Sequence, residues 1–535
     1  MSLVSFNENA ANVTAEQVKP VVEKAGLELS PSWAQDYSKL VSSLETAIAS
    51  LPDDKDVLPV PDLEKYPRTD IHVPEDNEHG AWATKFTAKA TNPKSDKLKG
   101  RTVALKDNMA FAGVRCLNGT SMVDWTPQID ATIATWMMDA GATILGKATC
   151  ENSCLEGMSA TAVTGPVHNP YAEGYSAGGS SSGSGRLVAT GSVDLAIGCD
   201  QGGSIRIPAS NCGITGHKPT WGLVPYTGIL SLDAAIDHAG PMAQNVRDCA
   251  LLLEVIAGPD GWDDRQPPLG LEGDRLAFVT AVDEVTSRAT AQMLQGVRVG
   301  VLAEGFAVDG QDPGVVRCVR AAVEKLGRLG ASVAPVSVPP HRDAPLVWMC
   351  ALPLAGAREA LLGDAHGRKQ LHLTDRAALV GPRLTQAQFD ALGPGAAKMY
   401  LDGLWVAEQH GPGLHGKCMN LLHALSKKYD EALEEFDVLV MPTLPIPPGK
   451  LPEAGYQDDG LLKFMSRSTS LIANTCPFNN SGHPAISLPV GFVPAREDPH
   501  VKLPVGMQIV SRKYADVECL KVAAAWEKAF DWKTM

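Results

Sequence analysis

Apolar residues recur at helical spacing near the start of the chain, in AEQVKPVVEKAGL (15–27) and PSWAQDYSKLVSSLETAIASL (31–51), which predicts two helices separated by a turn. The next stretch, LPDDKDVLPVPDLEKYPRTDIHVPEDNEHG (51–80), is rich in proline and acidic residues and reads as a linker wrapped on a surface. From residue 101 the pattern changes to short apolar strands alternating with helices: RTVALKD (101–107), DATIATWMMDAGA (130–142) and ATILGK (142–147). That alternation is the mark of an α/β domain. A stretch dominated by glycine and serine comes next at 174–203, with a helix predicted at GRLVATG (185–191) and a strand at VDLAIG (193–198).

Turn residues thicken again in PDGWDDRQPPLGLEGD (259–274). A strand, helix, strand unit then runs from VRVGVLAE (297–304) to ASVAPVSVP (331–339), and a glycine-rich bend is expected at HGPGLHG (410–416). Apolar strands return in FDVLVMPTLP (436–445), HPAISLPVGF (483–492) and LPVGMQIV (503–510), placed to rejoin the first sheet, and the chain closes on a helix at ADVECLKVAAAWEKAF (515–530). The expected organisation is a helical N-terminal region with linker (1–87), a core (88–290 and 428–535) and an inserted smaller α/β domain (291–427). No internal repeat interrupts it.

Composition narrows the function. With 535 residues, 44% hydrophobic and 20% charged, the chain has the make-up of a globular protein of several domains. A formal net charge of -14 disfavours nucleic acid as a partner, since phosphate binding needs concentrated Lys and Arg. The 11 cysteines lack paired metal-site spacing, so they read as reduced thiols of a cytoplasmic protein, and no metal is expected. The start, MSLVSFNENAANVTAEQ, has no basic segment followed by an apolar core, and no apolar run approaches the ~20 residues of a membrane span.

Three segments could carry chemistry. In Asp200-Gln201-Gly202-Gly203-Ser204-Ile205-Arg206, two glycines let backbone N–H groups converge beside a serine hydroxyl, where they could hold an oxyanion. Alone, the same segment reads as a tight turn with Ser204 as an ordinary helix cap. Ser176 to Gly185 could be a flexible linker or a phosphate cradle, but no Gly-Lys-Ser/Thr ending follows and structured segments flank it on both sides. Gly179-Ser180-Ser181-Ser182-Gly183 also matches G-x-S-x-G formally, though HNPYAEGYSAG before it is not the apolar strand a nucleophile elbow needs. Lys106, ending the strand RTVAL, either snorkels to solvent or is held where burial lowers its pKa and makes it a base.

Taken together and in order, ALKDN, AGGSSSGS and GCDQGGSIRIPASNCGITGHKPT, continued by WGLVPYTGI and FNNSGHPAISLPVG, resemble the amidase signature family. The resemblance implies a core built on a large mixed, twisted β-sheet flanked by helices. It implies Ser204 as nucleophile, Ser180 as a bridging serine preceded by a cis peptide bond, and Lys106 as the ultimate base, a serine hydroxyl needing a partner to take its proton. Backbone N–H groups of Gln201, Gly202, Gly203 and Ser204 are implied as the oxyanion hole, with Ser181, Asp200 and Arg206 in support. The chain departs from the family's Gly-Gly-Ser-Ser-Gly-Gly at Ser182, which would strain the loop if that position needs φ > 0.

The three-part layout, and the words GSIRIPASNCGITGHKPTWGLVPYTG and IDHAGPM, are similar to nitrile-hydratase-linked amidases of that family. This similarity implies hydrolysis of small aliphatic or aromatic amides through an acyl-enzyme, with carbamates or hydrazides as alternative substrates. The glutaminase-type subunit of an amidotransferase and a membrane-associated fatty acid amide hydrolase are more distant alternatives. No cofactor is expected. The substrate pocket is expected near Cys150 to Met158 and Trp348 or Trp405, and the N-terminal helices are expected to mediate a homodimer.

Overall fold

In the computed structural model the described residues are 12–535, apart from 76, 268–275, 366, 454, 457–459 and 469. Part of the expectation about the chain start, and residues 268–274 of the turn-rich stretch 259–274, therefore lie outside the described residues. The chain divides into two compact units, 1–59 and 60–535.

The first unit is a helix pair, Ala15–Lys24 and Pro31–Ala49, close to the ranges the periodicity predicts. Thr14 and Gln17 form a reciprocal capping box on the first helix, and Ser30 caps the second ahead of a proline at its first turn. Val13 N–H donates to Ser42 Oγ (3.0 Å), tying the two helices together.

The second unit is built on one mixed twelve-stranded sheet. Its strands are β1 (Arg68–His72), β2 (Trp82–Ala88), β3 (Thr102–Lys106), β4 (Thr143–Ala148), β5 (Leu195–Asp200), β6 (Thr215–Lys218), β7 (His238–Ala243), β8 (Arg298–Leu302), β9 (Ser332–Val336), β10 (Val438–Pro442), β11 (Ala485–Pro494) and β12 (Lys502–Ser511). They lie in the order β1-β2-β4-β3-β5-β7-β6-β11-β12-β10-β8-β9. The triplets β4-β3-β5 and β10-β8-β9 are parallel, and the other neighbours are antiparallel. Helices cover both faces of the centre, so β5, β7 and β10 are buried at every position and are mostly apolar, with Asp200 and His238 the exceptions. The closing helix Asp516–Ala529 buries Trp526, whose indole N–H donates to Ala322 O at 3.1 Å.

Two expectations change. The stretch read as a linker holds strand β1, paired antiparallel to β2 at the sheet edge. Its residues are mostly exposed and lack apolar alternation; what fixes it is Arg68, ion-paired with buried Asp130 and lying 4.3 Å over the Phe111 ring. The bend at HGPGLHG is confined to Gly411 (φ +62), after which Pro412 opens a long helix to Glu435. The sheet draws strands from all three expected segments: β1 and β2 from 1–87, β8 and β9 from 291–427, and the rest from the core.

Candidate active site

Lys106 is the last residue of β3 and is fully buried. Its Nζ donates to Ser180 Oγ at 2.7 Å and to Cys199 O at 3.4 Å, so the solvent-seeking alternative for this lysine is excluded. Ser180 follows a cis peptide bond from Gly179, just ahead of the helix Ser182–Ala189. The adjacent Ser181 staples the loop to its surroundings: its N–H donates to Ser204 O (3.3 Å), its Oγ donates to Cys199 O (3.3 Å), and Cys199 N–H donates to that Oγ (3.2 Å). Ser204 faces a cavity of about 880 Å³. The structure thus brings Lys106 and Ser180 into direct contact and joins Ser204 to them through the backbone. No hydrogen bond connects the Ser180 and Ser204 hydroxyls among the described residues.

Ser182 begins the helix and takes no positive φ, so the departure from the family's glycine carries no backbone cost. The glycine that the loop requires is Gly183, where a Cβ would lie 2.2 Å from Ala81 O.

Asp200 organises the turn that carries Ser204. Its carboxylate accepts from Gly203 N–H (2.7 Å), Ile205 N–H (3.1 Å) and Arg206 Nε and Nη2 (3.0 and 2.9 Å). Burial opposes the charge, but the Arg206 guanidinium outweighs it and holds the carboxyl far below its usual range. Arg206 then reaches Thr475 O, Gln508 Oε1 and Asn479 Oδ1, which fastens the turn to the helix Cys476–Ser481 and to β12. Both residues are fully buried, and their role is to pin the loop.

These bonds correct one expected donor. Gly203 N–H is taken by Asp200 and cannot face a substrate, whereas the N–H groups of Gln201, Gly202 and Ser204 donate to nothing among the described residues. Gly203 itself sits at φ +140 with no room for a Cβ, which would lie 2.5 Å from Thr475 Oγ1.

The electrostatics around Lys106 hold a feature the spacing does not reveal. Burial pushes its ammonium toward the neutral form, but three thiols, Cys154, Cys199 and Cys150, surround it, and with them the amine is raised above its ordinary value. Burial lifts Cys199 to about 12 and Cys150 well above the thiol range, so both are uncharged at neutral pH. Cys154, hydrogen-bonded by Cys150, falls to about 7. Of the three thiols, Cys154 is the one whose charge changes near neutral pH, and it opposes the effect of burial on the Lys106 amine.

The cavity wall is mostly apolar, with Ile207, Leu232, Trp348, Met399, Leu471 and Ile472 prominent, and it also carries the charged residues Glu156, Glu304, Asp309, Arg342, Lys398 and Asp402. Of the expected pocket residues, Cys154 to Gly157 and Trp348 line it, while Trp405 is 63% exposed and lies elsewhere. Trp348 donates its indole N–H to Gln201 O at 2.8 Å. Missed altogether were Tyr226 and Asp237, which hold the Gln201 side chain through its Nε2 (2.7 and 2.9 Å). Both stand inside the motif words WGLVPYTGI and IDHAGPM, which were the only signal for them.

A family model described as Amidase matches residues 70–520. An enantioselective amidase from Rhodococcus rhodochrous is 38% identical over 466 residues, covering 85% of this chain and 84% of the relative. A glutamyl-tRNA(Gln) amidotransferase subunit from Natronomonas pharaonis is 33% identical, covering 84% of this chain and 99% of the relative. Among solved structures, 6-aminohexanoate cyclic dimer hydrolase superposes with a TM-score of 0.67 at 27% identity, over 82% of this chain and 86% of that one. No helix among the described residues is long and apolar enough to cross a membrane.

Proposed function

Because the chain belongs to the Amidase family, whose enzymes act on the carbon–nitrogen bonds of amides, we propose that it hydrolyses aliphatic or aromatic amides to the carboxylic acid and ammonia or an amine. The observation that carries this reading is the Lys106–Ser180 hydrogen bond, set behind a serine that opens on an apolar cavity. With Lys106 in its neutral form, Ser204 Oγ attacks the amide carbonyl as its proton passes to Ser180 Oγ, and the Ser180 proton moves to the Lys106 amine. This transfer requires the Ser204 and Ser180 hydroxyls to come within hydrogen-bond reach of each other. Negative charge developing on the carbonyl oxygen is met by the free N–H groups of Gln201, Gly202 and Ser204. The proton then returns by the same path to the leaving nitrogen, the C–N bond breaks, and water repeats the cycle on the acyl-enzyme.

The cavity's size and its mostly apolar wall favour a substrate with a bulky apolar acyl group over glutamine, and so favour a free-standing amidase over an amidotransferase glutaminase. Carbamates and hydrazides fit the same chemistry. Steady-state kinetics on matched amides, carbamates and L-glutamine test the reading: phenylacetamide should be the better substrate than glutamine by kcat/KM, and Ser204→Ala should abolish turnover of all. Glutamine preferred over every apolar amide, or full activity in Ser204→Ala, would overturn it.

The helix pair of the first unit shows a stripe of exposed apolar residues, Trp33, Tyr37, Leu44 and Ile48, at helical spacing. We read this unit as the homodimer contact. Light scattering on a chain starting at residue 60 should then report a monomer where the full chain gives a dimer.

A further inference from the structure

The free donors near Ser204 have one structural property in common: each belongs to a peptide plane whose carbonyl is held from behind. Asp200 O accepts from Asn479 Nδ2 (2.8 Å), Gln201 O from Trp348 Nε1 (2.8 Å), and Gly203 O from Ile207 N–H (2.6 Å). In a trans peptide the C=O of one residue and the N–H of the next are coplanar and point in opposite directions, so fixing the oxygen aims the hydrogen. Two of the three anchors are local to the catalytic motifs: Ile207 is four residues from Gly203, and Asn479 stands in FNNSGHPAISLPVG. The third is a single side chain from the helix Ala344–Gly356, within the middle of the chain that the motifs do not cover.

We propose that Trp348 is a positioning residue that aims the Gly202 N–H at the developing oxyanion, an inference that rests on Ser204 being the nucleophile. The indole holds the Gln201–Gly202 plane in two ways. Its N–H bonds the Gln201 oxygen, and its ring closes over Gly202, where a Cβ would come within 3.2 Å of the six-membered ring. A plane without these restraints would rotate about the bonds flanking a glycine, the residue least able to resist such rotation. The neighbouring Gly202–Gly203 plane has no such freedom: Gly202 O accepts from Thr475 Oγ1 (2.6 Å) and Gly203 N–H is bonded to Asp200. Trp348 therefore controls the one plane of the turn that is both free to face substrate and lacks a local anchor. Since an oxyanion donor stabilises the transition state and not the bound ground state, the loss of its aim is a loss of kcat.

Trp348→Phe keeps an aromatic ring against the cavity and removes the donor. The expected result is a fall in kcat of about 10-fold or more, below the 10²- to 10³-fold of deleting a donor outright, with KM for phenylacetamide and the thermal midpoint little changed. An unchanged kcat, or a rise in KM alone, would show Trp348 to be cavity wall and nothing more. Gly202→Ala approaches the contact from the other side and keeps the test decisive if Trp348→Phe folds poorly: its methyl should displace the indole and lower kcat. In the Trp348→Phe background it should cost less than in the wild type, because the two changes break one contact. Strictly additive losses would overturn the proposal. Ser204→Ala, assayed alongside, separates the outcomes: if it is inactive while Trp348→Phe is fully active, only the positioning role fails; if it is active, the nucleophile assignment fails first.

Discussion

Lys106 is the last and Lys147 the next-to-last residue of adjacent parallel strands, and neither exposes its side chain to solvent. In the β3–β4 register Lys106 lies opposite Ala148 and Lys147 opposite Leu105, so the alternation of side chains sends the two lysines to opposite faces of the sheet. There they meet different company. Lys147 forms an ion pair with Asp107 at 2.9 Å and donates to Arg115 O. Asp107, raised by burial against the pull of Lys147, bears much of the cost of taking that pair out of water. Lys106 meets a serine hydroxyl, a carbonyl and thiols, with no carboxylate in its hydrogen-bond set. A buried lysine locked to a carboxylate keeps its proton and holds structure together. One whose charged neighbour is a titratable thiol can give its proton up when that thiol is neutral and take it back.

The comparison predicts opposite signatures for the same substitution. Lys106→Met should fold with a near-native thermal midpoint and lose about 10³-fold in kcat, the general-base contribution, with KM nearly unchanged. Lys147→Met should retain kcat per folded molecule and lose about 3–5 kcal/mol of stability, since it strands the Asp107 carboxylate in the interior. Urea unfolding and active-site titration of both variants read the two quantities separately. Should Lys106→Met unfold and Lys147→Met be the inactive one, the roles are reversed. The double variant Lys147→Met/Asp107→Asn, having no stranded charge, should recover part of the lost stability.

How much of this could be read in the sequence depends on how local each interaction is. Lys106, Ser180 and Ser204 sit in three contiguous motifs, and the strands that carry or flank them are short apolar runs, so fold class and candidate residues were both legible. Asp200, three residues before Gly203, signals a side chain folding back on its own turn, yet the spacing alone did not say which N–H it would occupy. Strand β1 escaped because RTDIH is held by Arg68 reaching Asp130, a contact 62 residues long, and not by any apolar period. Trp348 and Trp405 are both tryptophans on helices of the middle segment; one covers Gly202 and the other faces solvent, a choice made by packing across the chain. The cluster of thiols around Lys106 was equally hidden, because Cys150, Cys154 and Cys199 converge only once β4 and β5 are placed on either side of β3.

That thiol cluster yields the mildest test of the contrast between the two lysines. Lys147 has a carboxylate for a partner, whereas the charge beside Lys106 comes and goes with Cys154, which ionises at about 7. An ionised Cys154 holds the proton on Lys106; a neutral one leaves burial to drive it off. Cys154→Ala removes the switchable charge and leaves Cys150 and Cys199, both still pushed up by burial. The Lys106 amine then loses its proton at lower pH, so the rising acid limb of kcat/KM, normalised to its own plateau, should move toward acid in the variant. Cys154→Ser, with a hydroxyl that does not ionise, should move the limb the same way, which separates the effect of charge from that of lost volume. A limb that stays in place in both variants, or moves toward alkaline pH, would mean that the thiol does not set the protonation of the base and that Lys106 is governed by Ser180 and burial alone.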